Sequence, residues 1–304
     1  MGYDLENKLV IGISSRALFD LETENILFEK SGIDEYSKYQ IDNENNYLRP
    51  GTAYPLIEAL LKINKKIGKD LVEVIILSKN SPETGLRILN SIENGSLEIS
   101  RAGFTGGKSI SPYLNAFNVD LFLSKDEEDV QLAINNSIAS AIIYDPPDGF
   151  NSEKDEIRIA FDADAVVFSD ESEQIYKERG LEAFIENEKL NAEKPLPEGP
   201  FSKLLKTLSM IKEMQPEGTE FIRIAIVTAR NSPAHKRVIL TLRTWGVHID
   251  EAFFLGGISK DQIIKAYNAH IFFDDQDSYI EPASHLVPSG RVPYKSDSPL
   301  AKDK

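Results

Sequence analysis

The second half of this chain repeats the first, and a repeat on that scale constrains the fold before any single residue is interpreted. Ile76–Pro82 (ILSKNSP) aligns with Ile226–Pro233 (IVTARNSP), which sets Ser78 against Thr228. Phe104–Gly107 (FTGG) matches Phe254–Gly257 (FLGG), and Asp120–Ser124 (DLFLS) matches His270–Asp274 (HIFFD). Ser78 and Thr228, Gly106 and Gly256, and Ser124 and Asp274 each stand 150 positions apart. Nearer the starts, Arg16-Ala17-Leu18 lies against Asp164-Ala165-Val166 at a separation of 148. Solenoid repeats recur every few tens of residues. A period this long implies two copies of one whole unit.

Each copy reads as α/β. Continuous apolar runs at Leu9–Ser14, Val72–Leu77, Val119–Leu123 and Ile138–Tyr144 predict buried strands in the first copy. Ile157–Phe161, Ile224–Val227 and His270–Phe273 do so in the second. Helical spacing appears at Leu56, Leu60 and Ile63 within Tyr54–Lys66, and at Leu86, Leu89 and Ile92 within Pro82–Glu93. Strands alternating with helices predict a parallel sheet. The expected architecture is two tandem Rossmann-type units, residues 1–150 and 151–295. Asp145–Asp155 is the linker between them, with two prolines and a glycine. The charged stretch 170–200 reads as a helical insertion, with Glu193–Pro200 as its hinge. Residues 296–304 read as a polar, disordered tail.

Composition removes whole classes of function. The chain has 304 residues and no cysteine, which excludes disulfides, thiolate metal sites and a cysteine nucleophile. A net charge of −15 repels nucleic acid and anionic membranes, so neither is an expected partner. No apolar run approaches the ~20 residues of a membrane helix. The start MGYDLENK lacks the apolar core of a signal peptide, and Glu6 departs from a myristoylation signal. A cytoplasmic protein is expected; homo-oligomerisation stays open.

The chemistry concentrates in the second copy. Asp162 follows the run Ile157–Phe161, and Asp164 follows one residue later, before a second apolar run. Two carboxylates at i and i+2 past a strand end point the same way and resist joint ionisation, which invites a cation or a shared proton. Thr228 ends another strand, where a hydroxyl and the following amides, Ala229 first, can hold a phosphate oxygen. Lys260 follows the Gly256-Gly257 turn, and Asp274-Asp275 ends a further strand. In an open parallel sheet, ligands bind beyond the carboxyl ends of the strands. The first copy has Ser14, Arg16, Ser124 and Lys125 where the second has Asp162, Asp164, Asp274 and Asp275. Only the second can be a metal-dependent centre.

Asp162-x-Asp164, Thr228, Lys260 and Asp274-Asp275 resemble the four motifs of haloacid dehalogenase-like phosphatases. Ser14–Glu22 (SSRALFDLE), Asn80–Ile92, Thr105–Gly107, Phe161–Glu173 (FDADAVVFSDESE), Val227–Arg230 (VTAR), Leu242–Gly246 (LRTWG) and Ile271–Gln276 (IFFDDQ) resemble the cytosolic 5'-nucleotidase type I family. The resemblance runs to about Tyr294. Ala163 departs from the glycine usual there but keeps a small residue. The resemblance implies Mg²⁺-dependent hydrolysis of nucleoside 5'-monophosphates, AMP foremost. Asp162 would be the nucleophile, Asp164 the general acid and base, and Thr228, Ala229 and Lys260 the phosphate holders. Asp162, the Asp164 carbonyl and Asp274 would ligate the metal, with Asp275 as a ligand or just behind one. It further implies two haloacid dehalogenase-like units, the first degenerate and the second carrying a cap. A sugar-phosphate phosphatase is the alternative within the class, and a non-catalytic nucleotide-binding regulator the alternative outside it.

Other residues carry weaker readings. Lys260 is preferred to Lys265 for its place beside the glycine turn. Arg230 reads equally as a substrate contact or a structural ion pair. Phe184 is a candidate base-stacking residue, although packing within the cap is the plainer reading. Asp277 reads as a solvated loop residue, Trp245 as core. His235, His248, His270 and His285 lack metal-ligand spacing. Arg16 in the first copy, with Lys125, is either part of a site for a phosphate-bearing effector or the partner of a nearby carboxylate.

Overall fold

A computed structural model describes residues 5, 7–152 and 156–302. In chain order the strands are β1 (Leu9–Ile13), β2 (Phe19–Asp20), β3 (Arg49–Pro50), β4 (Val72–Ser78), β5 (Arg101–Phe104) and β6 (Leu121–Ser124). They continue as β7 (Ala139–Ile143), β8 (Ile157–Phe161), β9 (Ile222–Thr228), β10 (Glu251–Phe254), β11 (Ile271–Asp274) and β12 (Ser289–Arg291). Among the described residues, ten of them form one sheet in the order β10-β9-β8-β11-β12-β7-β6-β1-β4-β5; β2 and β3 pair separately.

Every neighbouring pair in the large sheet is parallel except β12–β7, which is antiparallel. Read outward from that joint, the two halves have the same strand order: β7-β6-β1-β4-β5 on one side and β12-β11-β8-β9-β10 on the other. The joint is close. A Cβ on Gly290 would lie 3.0 Å from the Ala141 Cβ and 3.1 Å from the Ile143 Cδ1, so glycine lets β12 approach β7.

The central strands are buried on both faces, as their apolar runs without alternation require. All residues of β1 and β4 are buried. The predicted strands are found within about two residues of their expected ends. The helix Pro82–Asn94 is present, but its core face differs from the expected one. Ile88 and Ile92 are buried, whereas Leu86 and Leu89 are exposed at 41% and 40%. Gly85 sets this face, because its missing Cβ makes room for the Phe104 ring.

The charged stretch 170–200 contains the helix Glu171–Leu190, kinked at Gly180 (φ 80°, ψ −179°). The first half has the same device at the matching place: Glu22–Asp42, kinked at Gly32 (φ 80°, ψ −176°). A long kinked helix at this place is therefore shared by both halves. The apolar run after Asp164 forms a π-helical turn, Ala163–Val167. The tail differs from expectation as well. Ser298 donates to Asp170, and Leu300, 3% exposed, packs with Ala165 and Tyr294. Asp303 and Lys304, and the end of the linker at 153–155, lie outside the described residues.

Candidate active site

β8 delivers Asp162 to the carboxyl edge of the sheet, where its N–H donates to the Phe273 carbonyl at 2.8 Å. The chain then leaves the strand abruptly. Asp164 is extended (φ −75°, ψ 142°) and Ala165 is left-handed (φ 59°), and the Phe168 N–H closes the turn on the Ala163 carbonyl at 2.8 Å. A β-branched residue at Ala165 would be strained. The neighbouring strand β11 ends at Asp274, followed by Asp275. Asp162, Asp274 and Asp275 are all buried, and each has a carboxylate oxygen within 4.8 Å of the others.

Lys260 enters this group from just before the helix Asp261–Tyr267. Its Nζ donates to Asp162 Oδ1 at 2.7 Å and to Asp274 Oδ2 at 2.6 Å. It also sits 4.5 Å from the centroid of the Tyr279 ring, within cation–π reach. Burial works against its charge, but Asp162 and Asp274 outweigh it and hold the ammonium above the ordinary lysine range. The carboxyls are displaced upward. Burial, with repulsion from Asp274 and Asp164, pushes Asp162 up to about 7 despite Lys260. Burial and Glu173 raise Asp275 well above the carboxylate range, and burial raises Asp274.

Three carboxylates against one ammonium leave an excess of negative charge in a buried space. Asp275 adds a specific signal: its Oδ2 accepts from the Tyr294 hydroxyl, while its Oδ1 is buried without a hydrogen-bond partner among the described residues. Buried polar atoms are normally satisfied, so an orphan acceptor beside two more carboxylates fits a hard divalent cation.

Asp164 is not part of this cluster through its carboxylate. Arg230 takes both its oxygens, Nε to Oδ2 at 2.7 Å and Nη2 to Oδ1 at 2.6 Å. Arg230 in turn donates to Glu188, which is fully buried on the inserted helix and also accepts from Arg237 at 2.9 Å and Ser172 at 3.1 Å. Phe184 lies on the same helix, its ring 5.4 Å from the Arg230 guanidinium. Of the two readings of Arg230, the ion pair is what forms here. The insertion is thereby latched onto the loop after β9.

The other expected residues fall as follows. Thr228 ends β9, buried, with its Oγ1 accepting from the Arg230 N–H at 3.2 Å; Ala229 is exposed beside it. Lys265 is exposed, which leaves Lys260 as the lysine of the site. Trp245 is partly buried and packs against Phe168, with ring centroids 5.3 Å apart. His270 is buried at the start of β11, accepting from the Arg158 N–H at 3.2 Å. In the first half, Arg16 pairs with Glu22 at 3.0 Å.

Sequence reasoning missed Glu188, Arg237, Glu173 and Tyr294. The repeat held one usable sign: Arg237 stands 150 positions after Arg87. Arg87 is buried too and pairs with Glu24 at 2.7 Å.

A parallel α/β sheet with a buried acidic centre at its carboxyl edge, competent to hold a cation beside one lysine, is the class of protein that fold and site define. The chain belongs to the 5'-nucleotidase family, whose sequence pattern matches residues 1–299. It is 38% identical over 292 residues to a human protein named cytosolic 5'-nucleotidase 1B, an alignment covering 92% of this chain. The chain spans about half (48%) of that relative's length. No solved structure matches it significantly. No helix among the described residues is long and apolar enough to cross a membrane.

Proposed function

We propose that this chain is a cytoplasmic 5'-nucleotidase that hydrolyses nucleoside 5'-monophosphates, AMP foremost, with Mg²⁺. We further read it as two haloacid dehalogenase-like units, the first degenerate and the second catalytic under the cap formed by Glu171–Leu190. The observation that carries the reaction is the convergence of Asp162, Asp274, Asp275 and Lys260 at the ends of β8 and β11. Asp162, Asp274 and Asp275 would hold the cation, which when bound neutralises phosphoryl charge and orients the group for in-line attack.

Asp162 attacks phosphorus, forming an Asp162 O–P bond as the bond from phosphorus to the 5'-oxygen breaks. Asp164 gives a proton to that departing oxygen. It then takes one from the water that cleaves the aspartyl-phosphate, so Asp162 is regenerated and phosphate leaves. Lys260, charged across the working pH range, supplies a fixed countercharge to the phosphoryl oxygens. The Thr228 hydroxyl and the Ala229 amide are the neutral donors. Arg230 occupies both oxygens of Asp164 in this arrangement, so turnover requires that pair to part. An arriving phosphate is a competing anion for Arg230, and it couples substrate entry to the release of Asp164. Phe184 would meet the base, a role supported by its ring lying 5.4 Å from the Arg230 guanidinium.

The test is phosphate release from a panel of nucleoside monophosphates and sugar phosphates, in Mg²⁺ and in EDTA. The reading expects nucleotides to be preferred and EDTA to abolish turnover. Equal rates on sugar phosphates would reject the nucleotide assignment, and full activity after dialysis against EDTA would reject the metal.

A further inference from the structure

The first half has lost every charged group of the second half's centre, yet it keeps a built cleft at the equivalent edge of the sheet. Ser14, Ser78, Ser124 and Ile110 stand where the second half has Asp162, Thr228, Asp274 and Lys260. The cavity there measures about 480 Å³ and lies between Ser14, Ser78 and Asn80 below and Leu21, Phe28 and Tyr36 above. That is within the range of small-molecule pockets, roughly 300–1,000 Å³.

What was lost and what was kept differ in kind. The aromatic pair of the kinked helix is present in both halves. Phe28 and Tyr36 meet edge to face at 5.7 Å and 79°; Tyr176 and Phe184, each 148 positions later, do so at 6.3 Å and 82°. The cations that line the first cleft are already engaged. Arg16 pairs with Glu22 at 3.0 Å, and Lys79 with Asp126 at 2.9 Å and Asp129 at 3.1 Å. A phosphate would have to break these pairs and, with Ile110 in the place of Lys260, would find no fixed lysine there to offset the loss. Two buried polar atoms on residues lining this cleft lack hydrogen-bond partners among the described residues: Oδ1 of Asp129, a residue 3% exposed, and Nε of Arg16. One is an acceptor and the other a donor. A neutral heteroaromatic ligand carrying both N–H or O–H and ring-nitrogen groups satisfies both while stacking on the rings.

We infer that the cleft of the first half is a second ligand site, one that takes an uncharged nucleoside. The inference rests on reading the second half as a nucleotide site, since the shared aromatic pair is what ties the first cleft to a base. With the carboxylates and the lysine of the second half gone, the part of the ligand that remains recognisable is the product of the proposed reaction.

The test is calorimetric titration of the full chain with adenosine, AMP and inorganic phosphate, in EDTA so that no turnover intervenes. It uses wild type, Phe28→Ala, Asp129→Ala and, as a control in the other half, Phe184→Ala. Phe28 is 47% exposed, so its truncation removes no core packing; melting curves of both first-half variants check the fold. The expected result is one adenosine binding event that Phe184→Ala keeps and that Phe28→Ala and Asp129→Ala each weaken at least tenfold. Phosphate should not compete for it. The inference is overturned by no adenosine binding, by binding that only Phe184→Ala removes, or by AMP or phosphate displacing adenosine equally well from the Phe28-dependent site. Turnover of AMP by wild type in Mg²⁺ is measured alongside. Its absence sinks the catalytic reading, whereas turnover without Phe28-dependent adenosine binding sinks this one.

Discussion

At the residue scale the centre is a balance of buried charges. Asp162 shares Lys260 with Asp274, so its carboxylate is held but not neutralised. Asp162→Asn keeps an oxygen for Lys260 and removes one charge from the cluster. The folded state should survive, with a melting temperature in EDTA at neutral pH equal to or above wild type. Phosphate release should fall by at least about 10³-fold, as expected when a nucleophile is removed. Turnover within tenfold of wild type would exclude Asp162 as nucleophile. Glu188 sits at the other extreme, fully buried between Arg230 and Arg237. Glu188→Ala leaves two buried guanidiniums short of a partner, and breaking buried pairs costs about 3–5 kcal/mol. Urea denaturation should read a loss of that order, and a change under about 1 kcal/mol would mean that the latch is not structural. The contrast also marks how far the sequence can be read. Asp162, Lys260 and Asp274 announce themselves because each follows a strand end or a glycine turn, which are local patterns. Glu188 looks like one more acid on a charged helix, since its burial depends on where Arg237 and Arg230 arrive from other elements. Tyr294 is hidden for the same reason: only the tertiary fold brings it to Asp275 and Glu173, whose acceptors it serves.

At the scale of elements, the inserted helix is positioned by backbone as much as by side chains. Gly180 kinks it in a conformation with positive φ and open space around the missing Cβ. Gly180→Ala should therefore cost only the backbone penalty of a region that glycine alone adopts readily, about 1–3 kcal/mol. Gly199, where the insertion returns to the core, is different. A Cβ there would lie 2.2 Å from the Phe168 carbonyl oxygen and 2.7 Å from that of Val166, both backbone of the turn that carries Asp164. Its N–H also donates to the Val167 carbonyl at 2.9 Å. Gly199→Ala should lower the melting temperature clearly more than Gly180→Ala and impair turnover by displacing Asp164. Equal shifts for the two variants would contradict this account. The strands and their parallel arrangement could be anticipated because apolar runs need no context. The core face of Pro82–Asn94 could not, because Gly85 carries no hydrophobic signal and its role is visible only against Phe104. The closing turn of the tail was misread on similar grounds. Leu300 is a single apolar residue among polar ones, and what buries it is the surface offered by Ala165 and Tyr294.

At the scale of the whole molecule, the acidic centre makes the stability of the metal-free protein depend on pH in an unusual direction. Most acidic proteins gain stability as carboxylates ionise into native partners. Here Asp162, Asp274 and Asp275 are all raised by burial, Asp162 to about 7. In the unfolded chain the same groups titrate near ~4. Between those values the folded protein holds more protons than the unfolded one, so its stability is fullest below pH ~4 for this term and declines as pH rises through about 7. A divalent cation reverses the penalty, because it binds the ionised carboxylates that the folded state otherwise resists. At a hundred times its dissociation constant it adds about 2.7 kcal/mol. Melting temperatures measured from pH 5 to pH 8 should therefore fall with pH in EDTA and fall less in Mg²⁺, so that the Mg²⁺ increment grows with pH. Asp275→Asn isolates the cause among the other titrating groups of a chain with net charge −15. It removes one of the three raised carboxyls and leaves the rest of the surface unchanged. The slope in EDTA should flatten in that variant, and the Mg²⁺ increment should shrink with it. An Mg²⁺ increment equal at pH 5 and pH 8, or a slope unaltered by Asp275→Asn, would show that the three carboxylates do not act as one site.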